Sequence, residues 1–112
     1  RLQDRRADAV KLYKELASDV RTKEGSAAAY YVLEDVFAGG DMDKAEKAIF
    51  AYSEREPQAY WLAKAFILLG DVYVRKGDNF QARATYQSVA DGYSPADDGI
   101  VAEAKERIAK LN

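Results

Sequence analysis

Apolar positions recur along this chain at the spacing of single helical faces, interrupted by short polar or glycine-bearing turns. Over residues 4–21, Ala9, Tyr13, Leu16 and Val20 fall at i, i+4, i+7 and i+11, which predicts an α-helix. Thr22-Lys23-Glu24-Gly25 breaks that pattern, and Ser26 is placed to cap a second helix over 27–38 by accepting a backbone N–H bond. That helix carries Tyr30, Tyr31, Val32, Leu33, Val36 and Phe37, and Gly39-Gly40 is expected to end it. Asp41 is the next N-cap, and the helix from Met42 buries Ala45, Ala48, Ile49 and Tyr52. Pro57 ends it and suits the first turn of the helix that follows.

The stretch over 58–76 is apolar around much of its circumference, with Trp61, Leu62, Phe66 to Leu69, Val72 and Tyr73 on several sides. A helix of that kind is buried between neighbours, so it should be the central one. Gly77 closes it, and Asp78 followed by Gln81 reads as a capping box opening a helix that runs to about Asp91. A turn at Gly92-Tyr93-Ser94-Pro95 follows, and Asp97 or Asp98 is expected to cap a final helix. Ile100, Val101, Ala104, Ile108 and Leu111 mark its apolar side, and Glu103–Arg107 and Glu106–Lys110 form i,i+4 pairs on a polar back. About six helices and no strand make the chain all-α.

Aligning the turns Gly40-Asp41 and Gly77-Asp78 places Ala45 on Ala82 and Ile49 on Tyr86, an offset of 37 residues. Self-similarity at such a period marks stacked supersecondary units. Phe66, Leu69, Gly70, Tyr73, Ala82 and Tyr86 stand at the spacings of the tetratricopeptide repeat (TPR), with Val89 for the usual Ala and Pro95 one position late; the chain therefore resembles that family. In the preceding unit Ala45, Ile49 and Pro57 fit, while Leu33 occupies the Gly position. Ala9, Tyr13 and Leu16 match the second helix of a repeat.

The resemblance implies a right-handed α-α superhelix of stacked helical hairpins in a single domain. Residues 1–25 would be the second helix of a truncated upstream repeat, 26–59 a degenerate repeat, 60–96 the best-formed repeat and 97–112 a capping helix. It also implies a concave groove as a peptide site. The matching partner-binding positions are Tyr30, Glu34, Phe37, Ile67, Asp71, Val74 and Arg75, with Ala27 and Lys64 on the same faces. Tyr30 and Phe37 are the expected aromatic anchors. Glu34, Asp71 and Arg75 would orient a polar or basic segment, and Ile67 and Val74 are alternatively core. The groove lacks the Lys/Asn set with which some TPR domains clamp a C-terminal carboxylate. GYSPADD followed by an Ala/Lys/Leu helix looks like bacterial envelope TPR proteins, which leans toward the periplasm or cell envelope and leaves the cytoplasm open.

Composition narrows the function classes. The 112 residues are 48% hydrophobic and 32% charged, as in a folded domain rather than a disordered one. A net charge of −2 argues against nucleic acid as the partner, and no apolar run approaches the roughly 18 residues of a membrane span. With neither Cys nor His, disulfides, thiolate metal sites and the commonest general base are excluded. Arg5, Arg6, Lys11 and Lys14 alternate with Asp4, Asp8 and Asp19, as a solvated face does. The chain begins at Arg1 without a Met or a signal-peptide pattern, which suggests a segment of a longer protein.

Asp41, Asp43, Asp97 and Asp98 sit at helix starts, where carboxylates favour the helix dipole, and Asp41-Met42-Asp43 lacks the glycine and closing Glu of a calcium loop. No metal and no cofactor is implied. The expected function is non-enzymatic: binding of a peptide or protein segment in the groove. The alternative is a structural spacer or oligomerisation segment that self-associates through the N-terminal helix. A carboxylate enzyme acting through Glu34 or Asp71 is the third reading.

Overall fold

The computed structural model describes residues 22–93 and 98–111. The helix expected over 4–21 lies outside them, as do Ser94, Pro95 and Asp97. Within the described residues the chain is all-helical, with α1 (Lys23–Ala38), α2 (Met42–Glu54), α3 (Ala59–Arg75), α4 (Asn79–Gly92) and α5 (Ile100–Ala109) and no strand.

Side-chain caps set most of the starts. The Asp41 carboxylate accepts the Lys44 N–H at 3.1 Å, and the Asp78 carboxylate accepts the Gln81 N–H at 3.0 Å. The expected capping box is only half made, because the Asp78 N–H donates to the Tyr73 carbonyl at 2.9 Å instead. With Gly77 at φ +80 donating to Val74, this closes α3 in a Schellman turn.

Three boundaries differ from expectation. The first helix begins at Lys23, not after Ser26, because the Thr22 hydroxyl accepts the Gly25 N–H at 2.9 Å and turns the supposed break into the opening turn. Ser26 is instead fully buried where helices meet: its hydroxyl accepts the Gln58 N–H at 3.0 Å and its carbonyl accepts the Tyr52 hydroxyl at 2.8 Å. Pro57 precedes the third helix rather than opening it, since Gln58 is the N-cap and Ala59 the first helical residue. At the last helix Gly99, in the left-handed region, takes the N-cap position, and the Asp98 carboxylate reaches past it to the Ile100 N–H.

The apolar circumference of α3 has the consequence expected of it. The helix packs on α1, α2, α4 and α5, burying Ala63, Ala65, Ile67, Leu68, Leu69, Val72 and Tyr73 among them. Helices α3 and α4 run antiparallel and pack together at Gly70, where the Tyr86 ring lies against the helix backbone. Ala45 on α2 and Ala82 on α4 are buried at equivalent positions, their small side chains letting neighbouring helices come close.

Lys76, just past the end of α3, ties it to the start of α2. Its ammonium donates to Asp43 at 2.7 Å and to Glu46 at 3.0 Å, and the Tyr73 hydroxyl donates to the other Glu46 oxygen at 2.9 Å. The bonds from Lys76 hold both carboxyls below their ordinary values. A depressed carboxyl contributes stability that is complete above its unfolded value and is lost as pH falls through the folded one. Lys76→Met should therefore move the Glu46 titration up toward 4.5, read from carboxyl chemical shifts; an unmoved midpoint would show that the ion pair is not formed in solution.

Candidate functional site

A cleft of about 370 Å³ opens where the C-terminal ends of α1 and α3 meet the last turn of α5. From α1 comes Phe37; from α3 come Asp71, Val74 and Arg75. Tyr86 of α4 closes one side, and Arg107, Lys110 and Leu111 supply the wall formed by the final helix. Four of the seven expected groove residues thus line one cavity: Phe37, Asp71, Val74 and Arg75. Val74 is 40% exposed, and the Arg75 guanidinium lies 4.9 Å from the centre of the Phe37 ring, a cation–π contact at the mouth.

The remaining three are placed otherwise. Tyr30 is only 6% exposed, with its ring 5.5 Å from Trp61, which also contacts Tyr31 and Tyr60 at 5.8 and 5.1 Å. It is a packing residue in an aromatic cluster, not an anchor open to a partner. Burial pushes its phenol well above the ordinary value, and the Glu34 carboxylate beside it adds to the shift. Ile67 is 3% exposed and belongs to the core, so its alternative reading is the correct one. Glu34 is exposed on α1 beside the Tyr30 hydroxyl and does not itself line the cleft.

Asp71 lines the cleft but is already engaged. Its Oδ1 accepts the Arg107 Nε–H at 3.0 Å and also the Tyr86 hydroxyl, while Arg107 Nη2 lies 3.4 Å from Oδ2. Arg107 further pairs with Glu103 at 3.4 Å. The bond to Asp71 holds the guanidinium above its ordinary value, and burial with Asp71 alongside pushes the Tyr86 phenol up. The expected orienting carboxylate is therefore a structural one that fastens α5 and α4 to α3.

Arg107, Lys110 and Leu111 line the cleft although the pairs Glu103–Arg107 and Glu106–Lys110 read as a polar back in the sequence. The sequence carried the signal: Ile100, Ala104, Arg107 and Leu111 fall at i, i+4, i+7 and i+11, one helical stripe. An arginine on that stripe had to find a partner where the helix packs. Four further tyrosines combine packing with a polar end. Tyr52, Tyr73, Tyr86 and Tyr93 donate to Ser26, Glu46, Asp71 and Asp98. Burial pushes the Tyr52 phenol up to about 12.

No described helix is long and apolar enough to cross a membrane. Compared with known family models, with curated proteins and with solved structures, the chain matches none.

Proposed function

We propose that this chain is a non-enzymatic protein-interaction module of the TPR-like kind, its helices stacked as hairpins in a superhelix, and that it binds a peptide segment in the cleft between α1, α3 and α5. The observation that carries the reading is the cleft itself. Phe37, Val74 and Arg75 reach its surface from two different helices and offer an aromatic ring, an aliphatic patch and a cation together. A concave face built by side-by-side helices takes an extended or helical segment along its length. The repeat reading draws support from the 37-residue offset, from Gly70 and Ala82 at the close contact between α3 and α4, and from glycine turns at Gly40 and Gly77. The engagement of Asp71 by Arg107 and Tyr86 favours binding over carboxylate catalysis, since a general base needs free lone pairs.

The test is selection of peptides from a random displayed library against the folded chain. Selected peptides should lose affinity about tenfold or more on Val74→Asp or Arg75→Glu, exposed changes that leave the helical circular dichroism intact. Binders indifferent to both substitutions would move the function to another face.

A further inference from the structure

We propose that the segment received by this cleft is acidic, carrying carboxylates beside one aromatic or aliphatic side chain; the inference rests on the cleft being the binding site and reverses the charge expected of the partner from sequence. Three cations line the cavity, Arg75, Arg107 and Lys110, against the single carboxylate of Asp71. That carboxylate is occupied from both oxygens by Arg107, and from one also by Tyr86. A cationic ligand would have to displace a part-buried, two-pronged arginine to reach it, at a desolvation cost the new contact only restores.

The cations are better placed to receive charge. Arg75 is exposed and forms no ion pair among the described residues; its guanidinium rests on the Phe37 ring. Lys110 pairs only with Glu106, at 3.0 Å and with both side chains more than 60% exposed, an arrangement that holds a lysine weakly. The whole chain carries a net charge of −2, so the excess of cations is local to this cavity. Between them Phe37, Val74 and Leu111 supply apolar surface for one side chain.

The experiment measures fluorescence anisotropy of a labelled peptide in which Asp and Glu flank a single phenylalanine, beside its counterpart with Lys in the acidic positions. The acidic peptide should bind, weaken steeply as salt rises past about 0.1 M, where the screening length is near 10 Å, and lose about tenfold in affinity with Arg75→Glu or Lys110→Glu. An acidic peptide without phenylalanine should bind several-fold less well. Preference for the lysine peptide, itself sensitive to Val74→Asp, would overturn the acidic assignment while keeping the cleft as the site. Binding of neither peptide, or acidic binding unchanged by both charge reversals, would overturn it as well. Library-selected peptides that ignore Val74→Asp would instead remove the cleft.

Discussion

Gly70→Ala is expected to destabilise the fold by about 1–2 kcal/mol, even though alanine is the better helix former. A methyl at that position would stand 2.2 Å from the Tyr86 Cε1 and 2.6 Å from its Cδ1. Contacts that short do not exist between carbon atoms, so either the ring or one of the two helices must move by more than an ångström. The ring has nowhere to go. Tyr86 is 1% exposed, and its hydroxyl is held by Asp71. Overpacking a core in this way costs about 1–3 kcal/mol or somewhat more, against roughly 1 kcal/mol gained in helix propensity. Gly92→Ala is the internal control: nothing lies within 4 Å of its added methyl, so stability should rise slightly or stay level. Urea unfolding of the two variants measures both effects. A Gly70→Ala protein as stable as its parent would mean that α3 and α4 do not pack ring against backbone in solution.

Asp71→Ala is expected to cost about 2–3 kcal/mol by leaving two donors without their acceptor. One is the Tyr86 hydroxyl, on a ring in the core; the other is the Arg107 guanidinium, whose side chain is 33% exposed and so recovers part of its solvation. Asp71→Asn should fall between the two proteins, because the amide oxygen still accepts from Tyr86 while the charge facing Arg107 is lost. The same unfolding series tests this ordering. If Asp71→Ala instead leaves stability unchanged and abolishes binding of the selected peptides, Asp71 is a contact residue after all.

These two predictions also show where reading the sequence succeeded. Gly70 and Ala82 stand out through the repeat spacing that the chain resembles, which puts small residues on facing helices. Local chemistry settles such matters: a periodic stripe, a glycine turn and an aspartate cap each act within a few residues of chain. The boundaries of α3 and α4 were legible to within a residue on that basis. The start of α1 was not, because Thr22 and Ser26 are both good caps and only the packing of Ser26 against Gln58 and Tyr52 decides between them. Phe37, Val74 and Arg75 were named together only through the repeat resemblance; they occupy the last turns of α1 and α3 and line one cavity. Tyr30 was not legible as core, because its burial depends on Trp61, which lies 31 positions further along the chain.

By itself the sequence determined the all-helical class, the central place of α3, the turns at Gly40 and Gly77, and the absence of cysteine and histidine chemistry. Each of these follows from hydrophobic period, backbone conformational preference or composition, none of which needs distant contacts. The tertiary structure alone decided which charges remain available at the surface of the cleft. Arg107 reaches Asp71 across 36 positions and Tyr86 reaches it across 15, so a carboxylate that reads as a ligand contact becomes a fastening between helices. Electrostatic pairing is set by distances of a few ångströms between side chains, and the order of residues along the chain does not contain those distances.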